Sequence, residues 1–149
     1  MEVLVKNQQR TVRIDRKRIA AVCRTLLSWI APEECELSIL IVSDSGIRKI
    51  NKKYLGRDCA TNVISFAMSE GDFGDINPHL LGDIVISSET AKRQSEETGI
   101  SLDDSIDYLI IHGILHLMGY DHERPGSDAA LMEKKEKEFF FRLRGYYID

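Results

Sequence analysis

Three of the four histidines in the 149-residue chain lie within one eleven-residue segment, HGILHLMGYDH, which runs from His112 to His122. Their spacing is His-x3-His-x5-His, so His112 and His116 would project from the same face of a helix, one turn apart. Gly119 can adopt the left-handed backbone that ends a helix, and the chain could then return to bring His122 close to the other two imidazoles. This pattern predicts a metal site with three histidine ligands.

Three nitrogen ligands leave one coordination position open, which is typical of a catalytic zinc site and not of a structural one. None of the three cysteines lies near the histidines in the sequence. Asp121 has two interpretations, as an acceptor that orients a ligand histidine or as a cap of the turn. The isolated His79 is expected on the surface. We therefore expect one Zn²⁺ per chain, although three imidazoles also accept nickel, cobalt or copper.

The residue after the first histidine bears on the class of reaction. His112, His116, Gly119 and His122 have the spacing of the metzincin proteases, in which a glutamate follows the first histidine and takes a proton from the zinc-bound water. This chain has Gly113 at that position. Peptide hydrolysis needs a base for the water and an acid for the amine, so a protease would need another carboxylate. The glycine disfavours a protease and leaves the base unidentified.

Positively charged residues precede the histidines in the sequence, and they could hold a phosphate backbone or simply form solvated helix faces. They are Arg48, Lys49, Lys52, Lys53, Arg57, Lys92 and Arg93. Lys52 and Lys53 are candidate substrate-binding residues. Arg57 is a candidate catalytic residue because it lies in a loop beside one of the motifs that carry the family resemblance given below. Asn62, in the segment TNVISF, is a further candidate for substrate binding or a satisfied residue at a sheet edge.

The elements that must position these residues follow the order β-α-β-α-β-β-α-α-α. The strands are EVLVKN, ELSILIVS, NVISFAM and GDIVIS, and the last two are close enough in sequence to pair antiparallel. Helix caps are predicted at Asp15, at Ser43 or Asp44, and at Ser101. Apolar helix faces are predicted at Ile47, Ile50 and Tyr54, and at Met132, Phe139, Phe140 and Leu143. We predict an α+β fold with a small mixed sheet of about four strands and about five helices, and the metal site at the end of a central helix.

Composition limits the protein class. A length of 149 residues and a hydrophobic fraction of 43% suit one domain over residues 1–149. The net charge of −4 disfavours nonspecific DNA binding, so a polyanionic partner would have to meet a local basic patch. The three cysteines are odd in number and widely separated, as in a reducing compartment. No apolar run approaches the length of a membrane span, so we expect a soluble, cytoplasmic protein with no membrane partner.

Three segments together resemble the YbeY family of metal-dependent endoribonucleases. HGILHLMGYDH is similar to the signature of that family essentially residue for residue, and INKKYLGRDCATNVISFAM resembles its N-x-x-Y/F-R-x-x-D-x-x-T-D/N-V-L-S-F segment. GDIVISSETA resembles the strand that follows in the family. The resemblance covers roughly residues 36–136. One departure concerns the family arginine after the aromatic residue, since this chain has Leu55 there and Arg57 two positions later.

The resemblance implies an α+β hydrolase that binds zinc through His112, His116 and His122 and cuts single-stranded RNA. It further implies action on the 16S rRNA precursor at its 3′ end, association with ribosomal subunits, and a role in ribosome quality control. Two alternatives stay open at this stage. One is a metalloprotease with a displaced base, and the other is a ribosome-assembly factor in which the metal only stabilises the fold.

Overall fold

Nine helices and strands are present in the computed structural model, which describes residues 2–31, 34–67, 80–120 and 127–148. In chain order they are β1 (Glu2–Asn7), α1 (Arg16–Ile30), β2 (Glu36–Val42), α2 (Asp44–Leu55), β3 (Val63–Ala67), β4 (Leu80–Ser87), α3 (Ser88–Thr98), α4 (Leu102–Leu117) and α5 (Ser127–Arg144). The predicted order of elements and the predicted α+β class are confirmed.

The four strands form one mixed sheet in the order β1-β2-β4-β3. β2 pairs in parallel with both β1 and β4, whereas β3 pairs antiparallel with β4, as the short connection between them predicted. β3 is therefore an edge strand. The two central strands have the β-branched composition of strands that are covered on both faces, since the consecutive residues Ile41 and Val42 of β2 and Ile84, Val85 and Ile86 of β4 are all buried.

Local side chains set where the helices begin. Asp15, Ser43 and Ser101 each accept a hydrogen bond from the backbone N–H three residues later, so the predicted caps of α1, α2 and α4 are confirmed. Ser87 caps α3 in the same way. Gly119 follows α4 with a φ of +98°, which confirms the left-handed conformation predicted from the sequence.

Helices cover both faces of the sheet. The larger core joins Ile39, Ile41, Ile84 and Ile86 to apolar side chains of α1, α4 and α5. On the other face, Val42, Ile64 and Val85 pack with Ile47 of α2. The two sets alternate along β2 and β4, as side chains on opposite faces of a strand must. α2 and α4 therefore lie on opposite faces of the sheet.

The predicted apolar face of α5 is buried at Met132, Phe139 and Phe140. The prediction for α2 is wrong at one position, because Ile47 is fully buried whereas Tyr54 is 61% exposed. Tyr54 lies in the last turn of α2, where its ring contacts Phe66 of the edge strand and not the core. Within the described ranges, no helix has the length and apolar composition that a membrane span requires.

Candidate active site

α4 carries two of the three predicted metal ligands, His112 and His116, in its last two turns. The four-residue spacing places the two side chains on the same face of this helix. Most other residues of α4 are buried, so the packing of the helix fixes the direction in which the imidazoles project. The predicted third ligand, His122, lies outside the described residues, as do Asp121 and His79.

A buried carboxylate orients the first histidine. Nδ1 of His112 lies 2.7 Å from Oε1 of Glu136 on α5, and Glu136 is only 7% exposed. A carboxylate accepts hydrogen bonds, so Nδ1 of His112 is the donor in this contact and Nε2 is the nitrogen that could bind a metal. Histidines that bind metals are commonly held in this way by a carboxylate on the other nitrogen. The donor chemistry at His112 therefore fits a metal ligand.

Tyr108 shares this carboxylate. It lies four residues before His112 on the same face of α4, and its hydroxyl donates a hydrogen bond to Glu136. Burial raises the pKa of Tyr108, and the negative charge of Glu136 raises it further. Tyr108 is therefore a neutral donor at physiological pH. Glu136 holds one group on each of two successive turns of α4.

Sequence reasoning missed Glu136, which lies 24 residues after His112 in a strongly charged stretch of α5. A signal was nevertheless present. Glu136 is spaced four residues after Met132 and three and four residues before Phe139 and Phe140, so it falls on the apolar face that the sequence predicted. A lone carboxylate on a buried helix face needs a partner, and here the partners are a histidine and a tyrosine.

The structure explains why glycine follows the first histidine. A Cβ at Gly113 would lie 2.8, 3.0 and 3.1 Å from Cδ1, Cγ2 and Cγ1 of Ile84, which is fully buried. Ser65 of β3 donates a hydrogen bond of 3.3 Å to the carbonyl oxygen of Gly113. α4 thus crosses the sheet too closely for a side chain at this position. A glutamate at 113, as in metzincin proteases, would have to enter the interface between α4 and β4.

A cavity of about 480 Å³ opens beside His112. It lies between the start of β3, α3 and α4, and its walls include His112, Tyr108, Asn62, Gln94 and Glu97. The side-chain amide of Asn62 donates a hydrogen bond of 3.3 Å to the amide oxygen of Gln94. The structure therefore brings the candidate substrate-binding residue Asn62 into the same cavity as His112.

Comparison with known proteins agrees with the sequence resemblance. The family model described as "Endoribonuclease YbeY" matches residues 4–144. The chain belongs to the YbeY family. Curated relatives named Endoribonuclease YbeY include one from Syntrophus aciditrophicus, which is 48% identical and aligns with 100% of this chain and 94% of its own length. Another, from Geobacter sulfurreducens, is 49% identical over 96% of each chain.

A solved structure supports the fold. The solution structure of a Thermotoga maritima protein superposes with a TM-score of 0.64, covering 96% of this chain and 89% of that one, at 21% sequence identity. At this level of identity the likeness concerns the fold alone.

In this member of the YbeY family, the basic candidates Lys52 and Lys53 lie away from His112. Lys52 and Lys53 belong to α2, on the opposite face of the sheet from α4. Lys52 lies 4.0 Å from Asp58, and Lys53 lies over the ring of Tyr54. The structure does not bring these two lysines into the cavity beside His112, and their role in substrate binding stays a prediction.

Two of the remaining basic residues also have ion-pair partners within the chain. Arg48 pairs with Asp58 at 2.7 Å, and Arg93 pairs with Asp44 at 2.8 Å. Arg57 is exposed in the loop after α2, where its backbone N–H donates to the carbonyl of Asn51. That loop leads directly to Asn62 in the cavity wall. A catalytic role for Arg57 stays a prediction.

No group of three histidine, cysteine or acidic side chains that could hold a metal occurs among the residues that the structure describes. The predicted set therefore depends on His122, beyond the described end of the α4 segment. The described part contributes two imidazoles and one carboxylate that holds the Nδ1 proton of His112.

Proposed function

We propose that this chain is a zinc-dependent endoribonuclease that cuts single-stranded RNA. Two kinds of observation support the proposal. Relatives that share almost half of its residues over nearly their whole length are named Endoribonuclease YbeY. The hydrogen bond of 2.7 Å between Nδ1 of His112 and Glu136, beside a cavity, is the contact that commonly orients a metal-binding histidine, and this single observation carries the metal assignment.

In the proposed site, His112, His116 and His122 would hold the metal. When bound, a zinc ion polarises a phosphoryl oxygen and lowers the pKa of a bound water to about 7. Glu136 keeps the Nδ1 proton on His112, and Tyr108 in turn donates to Glu136. Arg57 is proposed to stabilise the charge of the phosphate, and Asp121 to orient a histidine or transfer a proton.

The packing of Gly113 favours a nuclease over a protease. Ile84 occupies the space that the glutamate of a metzincin would need. RNA supplies its own nucleophile in the 2′-hydroxyl group, so a nuclease needs less acid-base machinery from the protein than a protease does. The 2′-hydroxyl must still lose its proton, for which Asp121 is the proposed acceptor, so a base at position 113 is not required for phosphodiester cleavage.

The proposal can be tested by incubating the purified protein with single-stranded RNA and with casein, each with and without a chelator. We expect chelator-sensitive cleavage of RNA and no cleavage of casein. A 2′,3′-cyclic phosphate on the product would identify the 2′-hydroxyl as the nucleophile, whereas cleavage of casein alone would contradict the proposal.

Two variants separate a catalytic metal from a structural one. His116→Ala should lower RNA cleavage at least about 100-fold and leave a folded chain, because α4 is held mainly by its apolar contacts. Unfolding of this variant would instead favour an assembly factor with a structural metal. Arg57→Ala should lower cleavage while the zinc content stays at one per chain, and unchanged turnover would contradict its role.

In the cell, we propose that the substrate is the 16S rRNA precursor on ribosomal subunits, that the enzyme acts in the cytoplasm, and that it contributes to ribosome quality control. Depletion of the protein should then cause 16S rRNA with an unprocessed 3′ end to accumulate. Normal 3′ ends after depletion would contradict this assignment.

A further inference from the structure

The first 31 residues differ in charge from the rest of the chain. They contain seven lysine and arginine residues and two acidic residues, whereas residues 32–149 contain 13 lysine and arginine residues and 22 acidic residues. The net negative charge therefore belongs to the remainder of the chain, and the N-terminal part attracts anions. Five exposed cations lie along the loop before α1 and on α1 itself. We call them the basic surface, and they are Arg10, Arg13, Arg16, Lys17 and Arg24.

Side-chain hydrogen bonds fix the loop that carries the first two arginines. The side-chain amide of Gln9 donates a hydrogen bond of 2.8 Å to the backbone carbonyl of Val12 and accepts one of 2.9 Å from its N–H. The side chain of Val12 is buried, whereas Arg10 within this turn and Arg13 directly after it are exposed. A loop that is ordered before binding lowers the entropic cost of holding a ligand.

The helix that follows adds three more cations. Arg16 and Lys17 lie in the first turn of α1, and α1 contains no acidic residue. The helix dipole disfavours cations in a first turn, so the stability of α1 does not account for these two residues. Arg24 lies seven residues after Lys17 and therefore on the same face of the helix. The exposed side of α1 continues the positive charge of the loop.

The carboxylates near the start of α1 are already paired. Asp15 accepts a hydrogen bond from the backbone N–H of Arg18, and the side chain of Arg18 binds both Asp103 and Asp107 of α4. Within the part of the chain that the structure describes, no cation of the basic surface forms an ion pair with a carboxylate. The charge of the basic surface is therefore available to an anion from outside the chain.

The composition of the basic surface suits a phosphate backbone better than a protein. Four of its five residues are arginines, and a guanidinium group binds two phosphate oxygens at once. Protein interfaces generally have apolar or aromatic residues at their centre. Among the described residues, the exposed large apolar side chains all lie outside residues 8–25. Contacts to phosphate position a nucleic acid without reading its bases.

The helix that carries much of the basic surface lies on the same face of the sheet as α4. Both helices pack into the larger core, and the ion pair of 3.0 Å between Arg18 and Asp107 joins the start of α1 to α4. Asp107 precedes His112 by five residues, which is about 7.5 Å along a helix axis. RNA on the basic surface can reach His112 without crossing the sheet, unlike RNA bound at Lys52 or Lys53.

We propose that the basic surface binds the phosphate backbone of the RNA substrate outside the cleavage site and holds the RNA for cleavage near His112. The inference rests on the proposed ribonuclease function and deepens it. It assigns RNA binding to N-terminal residues that lie outside every motif of the family resemblance.

The salt dependence of RNA binding tests this proposal. Binding of a fluorescent, unstructured twenty-nucleotide RNA with 2′-O-methyl groups to the zinc-loaded protein is measured by anisotropy at several salt concentrations, and recovery of the intact strand confirms that no cleavage occurred. Each phosphate contact to a single strand contributes about 0.7 to the slope of log K against log salt. Arg10→Gln with Arg13→Gln should therefore reduce the slope by about 1.4 and the affinity about tenfold at about 0.1 M salt.

Two further double variants control for charge and for folding. Lys134→Gln with Lys137→Gln removes the same charge from the exposed side of α5 and should keep the wild-type slope. Arg16→Gln with Lys17→Gln should reduce the slope as the loop variant does. It should not lower the stability measured by urea denaturation, because it removes cations that the helix dipole disfavours.

The outcomes separate this inference from the function on which it rests. An unchanged slope in both variants of the basic surface, or an equal decrease in the α5 control, would overturn the inference and indicate a solvated helix face. Displacement of the RNA by polyglutamate at equal charge concentration would also overturn it, in favour of an acidic protein partner. Neither result concerns the chelator-sensitive cleavage of RNA by the wild-type protein, whose absence would overturn the ribonuclease function itself.

Discussion

The two halves of α4 hold ionisable side chains in different ways. In the N-terminal half, Asp107 is fully buried, and Arg18 of α1 binds its two oxygens at 3.0 and 3.1 Å. Arg144 binds both Asp107 and Asp104, and Tyr146 donates to Asp104. The charges in this cluster, which we call the aspartate cluster, are compensated by groups from the same chain.

The C-terminal half of α4 holds its ionisable side chains without such arginine–aspartate pairs among the described residues. Here the carboxylate of Glu136 orients His112 and accepts a hydrogen bond from Tyr108, and a metal cation would complement this arrangement. The cavity adjoins this half of the helix. Buried charge by itself therefore does not mark a functional site. The aspartate cluster fastens α1, α5 and the C-terminal segment to α4, whereas the histidine end combines oriented donors with open space.

The largest effect on stability is expected from the aspartate cluster. Asp107→Asn keeps the shape of the side chain but leaves Arg18 and Arg144 without their shared anion, and it should lower the free energy of unfolding by about 3 kcal/mol. Urea denaturation measures this loss. Asp103→Asn is the matched control, since its side chain is 58% exposed and should cost less than about 1 kcal/mol. Equal losses in the two variants would contradict the distinction between buried and exposed partners.

A smaller free-energy change, seen in metal binding and not in folding, is expected at the histidine end. Glu136→Gln keeps an acceptor for Nδ1 of His112 but removes the negative charge, so zinc affinity should fall by about 10- to 100-fold. Competition with a chromophoric chelator measures the affinity. Glu133→Gln on the exposed side of α5 is the control. Unchanged affinity in Glu136→Gln would show that the carboxylate serves only the packing of α5.

Much of this architecture could be predicted because its signals are local. Asp15, Ser43 and Ser101 cap helices through the backbone three residues away, and Gly119 ends α4 through its own φ angle. Such contacts can be read from neighbouring residues.

Long-range placement was harder to predict. The residues around Lys52 in the sequence do not indicate which face of the sheet α2 covers. In the structure α2 covers the face opposite α4, so Lys52 lies away from His112. The contact between Glu136 and His112 likewise depends on how α5 returns to α4. The charge on the apolar face of α5 was the one local sign of it.

The role of Gly113 can be tested with a double-mutant cycle on the interface between α4 and β4. Gly113→Ala should destabilise the protein by about 1 kcal/mol, because overpacking against Ile84 exceeds the helix-propensity gain of alanine. Ile84→Val removes one methyl group, so in that background Gly113→Ala should cost clearly less. Chemical denaturation of the four proteins measures the coupling. Additive effects would show that Ile84 is not what requires a glycine here.

A third cluster of polar and charged side chains surrounds Asp44 at the start of α2. The smallest effect on stability is expected from changes in this cluster. Oδ1 of Asp44 accepts hydrogen bonds of 2.6 Å from Ser87 and from Thr90, and Oδ2 lies 2.8 Å from Arg93. Partial burial would raise the pKa of Asp44, but the hydrogen bonds from Arg93, Ser87 and Thr90 outweigh it and lower the pKa to about 2.

This cluster therefore predicts a defined pH dependence of stability. The pKa of Asp44 in the folded protein lies below its ordinary value of 3.8, so the ionised carboxylate stabilises the fold above about pH 4 and loses this effect as the pH falls toward 2. Asp44→Asn should cost about 1 kcal/mol at pH 7 after screening at the half-exposed Arg93, and almost nothing at pH 2. Asp58→Asn, which breaks an exposed pair with Arg48, should have a weaker effect. A cost for Asp44→Asn that persists at pH 2 would place its origin in packing and not in charge, and would remove this cluster from the charge-compensated class.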